Sequence, residues 1–169
     1  MRSSESSVCI YEPDRRGARC FGHITGSLPS ADALNYLPMF TLAFEHTHRV
    51  LLTRFTGWLS SEDIVQLDRA VVAFVVRAGP VRGLLDFSGI EGITAPPPFF
   101  AVRGQSPQIA PRKRRVIVAP HRELYDLARA FAAQQRELGN VEPRVVTSLR
   151  DAYRLLRLKK PKFRPVRDL

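Results

Sequence analysis

The feature that most limits what this chain can fold into is a hydrophobic period that keeps switching between two and about 3.6 from Met39 onward. In "MFTLAFE", Phe40, Leu42 and Phe44 alternate with Thr41, Ala43 and Glu45, which predicts a half-buried strand. "HTH" (46–48) makes a short turn and "RVLLTRFTG" returns, so the pair reads as a hairpin. In "WLSSEDIVQLDRAVVAFVVRAG" the apolar stripe is Ile64, Leu67, Val71, Phe74 and Val75, at helical spacing. Ser60 followed by Asp63 predicts its N-cap, acidic Glu62 and Asp63 suit the first-turn dipole, and Gly79-Pro80 stops it. "VRGLLDF" is a short strand with no polar face, as expected of one covered on both sides.

"PPPFFAVRGQ" predicts a short helix, since proline is tolerated in a first turn. "RRVIVAP" is another buried strand. "HRELYDLARAFAAQQRELG" is a helix with Leu124, Leu127, Ala128, Phe131 and Leu138 on one face and Gly139 closing it. "PRVVTS" is a last strand. "SLRDAYRLLRL" is a last helix, capped by Ser148 with Asp151 and turning Leu149, Ala152, Tyr153 and Leu156 inward. The order β-β-α-β-α-β-α-β-α predicts an α/β fold. Its sheet is mixed and mostly parallel, with about five strands, an N-terminal antiparallel hairpin strand, and helices packed on it. In such sheets ligands and partners meet the carboxyl ends of strands, where Asp86, Ser88, Ala119, Pro120 and His121 are expected.

Residues 1–37 show no sustained period and read as a poorly ordered extension, with Met39 a second candidate start of translation. Residues 38–158 form the domain and 159–169 a basic tail. No apolar run approaches the ~20 residues of a membrane span and the N-terminus lacks a signal-peptide core, so a cytoplasmic protein is expected. Cys9, Cys20 and His23 lack a fourth zinc ligand at a usable spacing, and His46 and His48 lack carboxylate or thiol partners. No metal and no cofactor is expected. The net charge of +10 gathers in "RKRR" (112–115) and "KKPKFRPVR" (159–167). Only Phe163 interleaves these clusters, so the stacking aromatics of nucleic-acid binders are missing. Arg112 to Arg115 read as a lead into a strand and the tail as a solvated end. A tether through 159–169 to an anionic membrane, or less favourably to nucleic acid, is a further use of that charge.

"FTGWLSSEDI", "LLDFSGI" and "RVIVAPHRELYDLAR", in that order after a hairpin, resemble the STAS superfamily (sulphate transporter and anti-sigma-factor antagonist) in its stand-alone SpoIIAA-like branch. Gly57, Asp86, Ser88, Tyr125, Ala128 and Arg129 occupy the family's places, and the likeness covers residues 38–158. The resemblance implies a regulatory or binding module, not an enzyme. Switching members of that branch carry an Asp-Ser-Ser-Gly box with a phosphorylated serine. Here Thr94, Ala95, Pro96 and Pro97 stand in its place, so the phospho-switch is not carried over. The fold likeness of the branch to CRAL-TRIO domains implies a hydrophobic ligand.

A Ser-His-Asp reading of Ser88, His121 and Asp86 fails, because no Gly-x-Ser-x-Gly elbow presents the serine. Asp86 and Ser88 are expected as strand-end scaffold, with Asp86 open to a pairing with Arg129. The expected function is partner binding through a rim of Thr94, Phe99 and Phe100 flanked by Tyr125 and Arg129. The alternative is a lipid or other amphipathic small molecule between the helices at 97–105 and 121–138.

Overall fold

A computed structural model describes residues 39–105, 109–110 and 113–167. Residues 1–37, with Cys9, Cys20 and His23, and Arg112 of the basic cluster lie outside the described residues. The chain runs β1 (Phe40–Glu45), β2 (Val50–Leu59), α1 (Ser61–Ala78), β3 (Arg82–Ile93), α2 (Pro97–Gly104), β4 (Arg115–Val118), α3 (Arg122–Glu137), β5 (Arg144–Val146), α4 (Leu149–Leu155) and β6 (Arg164–Pro165). The sheet order is β5-β4-β3-β2-β1-β6, with β1 antiparallel to both its neighbours and the other pairs parallel.

Each crossover from β2 onward adds its next strand on the same side. Right-handed connections therefore put α1, α2 and α3 on one face of the sheet. Strand period then sorts the side chains. Leu51, Phe55, Leu85 and Ile117 meet α1 and α3 on that face. Val50, Leu52, Leu84, Val116 and Val118 meet α4, through Ala152 and Leu156, on the other.

Both helix starts read from the sequence are built as expected. Asp63, 1% exposed, accepts from Ser60 N–H (2.9 Å) and Met39 N–H (3.1 Å), while Ser60 Oγ accepts from Asp63 N–H (3.2 Å). Ser148 Oγ accepts from Asp151 N–H at 3.2 Å.

Four expectations are corrected. Glu45, expected on the open face of its strand, is 5% exposed, because it closes the hairpin turn by accepting from Thr47 N–H (3.2 Å), His48 N–H (2.7 Å) and the His48 ring (3.0 Å). The strand at "VRGLLDF" continues to Ile93. Past Asp86 it loses β4 but keeps β2, through two register shifts, the second at Gly57 with φ 73°. Leu138 is 52% exposed, and Ala132 and Gln135 take the buried places at that end of α3. The basic tail is not simply a solvated end: β6 pairs with β1, and Phe163 stacks on Tyr153 with centroids 6.3 Å apart.

Burial acts to raise the Glu45 carboxyl, but the hydrogen bonds from His48 and Thr47 outweigh it and hold it below the ordinary value of 4.5. A depressed carboxyl stabilises the fold above its unfolded value and loses that contribution as pH falls through the lowered one. Glu45→Gln should therefore cost about 1–2 kcal/mol at neutral pH. In urea titrations the gap to the parent protein should close as the pH falls below 4.5.

Candidate functional site

Between the three-helix face and the sheet lies a cavity of about 190 Å³. Its origin is in the side chains the sequence supplies. Gly83 and Thr53 form a low floor on the sheet, while Val71 of α1 and Ala128 of α3 face it with short side chains. The larger apolar groups Phe87 and Phe131 stand around the space without filling it. Ile64, Val71 and Val75 are half-buried because this space lies beneath them.

Two polar contacts hold α2 over the cavity. Arg103 donates from Nη2 to Asp68 of α1 at 2.5 Å. Gln135 of α3 donates from Nε2 to the Gly104 carbonyl at 2.6 Å. Arg115, at the start of β4, lies on the same face as Ile117 and lines the cavity with Arg103 and Asp68. Gly83 makes room for its stem, since a Cβ there would sit 3.3 Å from Arg115 Cγ. Its Nη2 donates to Gln135 Oε1 at 2.8 Å, and its guanidinium lies 5.8 Å from the centre of the Phe131 ring. Its Nε is shut off from solvent and has no acceptor among the described residues. Burial, with the charge of Arg103 acting the same way, pushes the Arg115 pKa down to about 10.

The expected site residues divide. Phe100 lines the cavity, and Phe99 meets it edge to face with centroids 5.9 Å apart. Thr94 is exposed just past β3, with its N–H (2.9 Å) and Oγ1 (3.3 Å) both donating to the Leu59 carbonyl. Tyr125 packs against the core of the three-helix face. Arg129 is not the partner of Asp86: it stands 4.0 Å from Glu142, while Asp86 pairs with Arg54 at 3.2 Å. Arg54 and Asp86 project toward the α4 face, and the sheet separates them from α3. Asp86 also accepts from Ser88 N–H at 3.1 Å.

Arg115 was hidden within "RKRR". Its signal is the strand period, which puts it in step with Ile117 and on the covered face. At the amino-terminal end of the parallel strands, Arg49, Arg82, Lys113, Arg114 and Arg157 share a polar cleft. Several of these are already bound to backbone: Arg82 donates to the His48 and Leu156 carbonyls, and Arg114 to that of Leu155. Among the described residues, no group of His, Cys, Asp and Glu is placed to hold a metal ion, and no helix is long and apolar enough to cross a membrane.

One mixed, mostly parallel sheet with an antiparallel N-terminal pair, carrying crossover helices on one face and α4 on the other, defines the α/β class expected from the sequence. Among solved structures, the chain is similar to an uncharacterized protein from the DUF3478 family with a SpoIIAA-like fold from Shewanella loihica PV-4. The two are 16% identical, with 72% of this chain and 97% of that one covered and a TM-score of 0.46. No family model matches the chain, and no curated protein matches it.

A buried guanidinium with an orphan donor contributes little to stability, because its desolvation offsets what it gains. Arg115→Met should leave the unfolding free energy within about 1 kcal/mol of the parent in urea denaturation. A loss above about 3 kcal/mol would instead identify the guanidinium as a structural tie.

Proposed function

We propose that this domain is a non-enzymatic binding module that holds an apolar small molecule in the cavity beneath α1, α2 and α3. The observation that carries this reading is the cavity itself. Native interiors are close-packed, with few voids larger than a water molecule. A space of this size, partly open to solvent, is far larger than such voids and can be entered from outside. An engineered apolar cavity of about 150 Å³ stays dry and accepts benzene, so this one suits an apolar body of roughly eight to ten heavy atoms. The alternative reading of the sequence put a lipid or other amphipathic small molecule between the helices at 97–105 and 121–138. The cavity wall adds α1 and the sheet floor to that pair.

Native mass spectrometry of the purified protein should show a small apolar adduct, or take up an added one. Val71→Trp, which fills the cavity from α1, should abolish that uptake while leaving the melting temperature within a few degrees. Apo mass alone, with no uptake of added apolar probes, rejects this reading.

A second reading, a protein partner on the rim, is favoured by one observation. Trp58 is 57% exposed where the β2–β3 pair runs beyond β4, close in sequence to Leu59, which anchors Thr94. The rim would use Thr94, Phe99 and Phe100, flanked by Tyr125 and Arg129. Thr94→Arg with Arg129→Glu changes two exposed positions. It should remove a partner captured by the parent domain, and full retention rejects the rim.

A further inference from the structure

We propose that the cavity takes a carboxylic acid with a compact apolar body, and that Arg115 reads its carboxylate with Arg103 beside it. This rests on the cavity being a ligand site and adds the chemical class of the ligand. Among the described residues, the lining holds two guanidinium groups and one carboxylate. That carboxylate, Asp68, is engaged by Arg103 at 2.5 Å. No carboxylate pairs with Arg115 among the described residues. A cation taken out of water without a counter-ion is costly, and the cost is greatest where one of its donors is also unmatched. Arg115 has both defects: its Nε–H has no acceptor among the described residues, and its hydrogen bond is to the neutral amide of Gln135.

A ligand carboxylate removes both. Its two oxygens match the planar fork of a guanidinium, and its single negative charge matches the one uncompensated positive charge among the described lining residues. An alcohol or amide head would meet the orphan donor and leave the charge. A phosphate would bring more charge than the site balances. The remaining lining is apolar, with Phe87, Leu127 and Phe131 placed to hold a hydrocarbon or aromatic body. Arg115 keeps its charge at neutral pH, since its lowered pKa of about 10 is still well above that range.

The test uses the full chain, octanoate and 1-octanol, which share the apolar body and differ at the head, with binding measured by calorimetry at neutral pH. The parent protein should bind octanoate at least about tenfold more tightly than octanol, a difference of about 1.4 kcal/mol. Arg115→Met should lose most of that preference and keep octanol binding within about twofold, which also shows that the variant is folded. Arg115→Lys keeps the charge without the fork and should retain part of the preference. Equal binding of both probes by the parent overturns the carboxylate assignment while the cavity reading stands, as long as Val71→Trp blocks both. A preference that survives in Arg115→Met overturns it as well. Binding of neither probe overturns both readings together.

Discussion

The structure depends first on the handedness of its crossovers. From β2 to β5 each new strand joins the same edge, so right-handed connections stack α1, α2 and α3 on one face and leave the other to the segment after β5. That segment is short: α4, then Leu158 and Phe163 on the way to β6. The two faces are therefore unequal. One has a thin cover pressed closely onto β-branched and leucine side chains. The other carries three helices that must meet over a wide floor. The interior space lies on that second side, where the floor and walls are short.

The same inequality separates two groups that the sequence places on neighbouring strands. Asp86 sits among the side chains of the α4 face with Arg54, and burial pushes the nearby Tyr153 phenol up, with Arg54 acting against it and Asp86 with it. Arg115 sits on the helix-rich face, among apolar groups and an amide. The carboxylate and the cation thus serve different layers. Asp86 is paired with Arg54, whereas Arg115 keeps a charge that no carboxylate pairs with among the described residues. A fold that retains such a group accepts a local defect in its interior, of the kind more often met at functional positions than at structural ones.

Much of this was legible in the residues. Most elements follow from period, both Ser-x-x-Asp starts form as read, and a mixed, mostly parallel sheet follows from the alternation of strands and helices after the hairpin. What escaped was set by tertiary partners. Asp-Phe-Ser-Gly reads as a strand end, yet β2 continues alongside and supplies hydrogen-bond partners as far as Ile93. Glu45 looks solvent-facing by alternation, but three donors converge on it from a turn only two and three residues away. The cavity is a sum of small residues from separate elements: no one of Thr53, Val71, Gly83 and Ala128 announces a void. Of the expected rim, only Phe100 contributes to the cavity, because neighbours on a short helix point to different sides.

The C-terminal pairing has a consequence for how the molecule behaves in company. β1 is the outer long strand of the sheet, and an uncovered strand of that kind is a template for another chain. Pro165 and Arg164 lie against Ala43 and Phe44, and Val166 N–H donates to the Leu42 carbonyl at 2.9 Å. A two-residue strand with a proline in it blocks that edge without offering a good edge of its own, since proline has no N–H to donate. The lysines and arginines around it add mutual repulsion between copies. The last basic stretch thus covers the Leu42–Phe44 part of the edge that β1 would otherwise leave open to another strand.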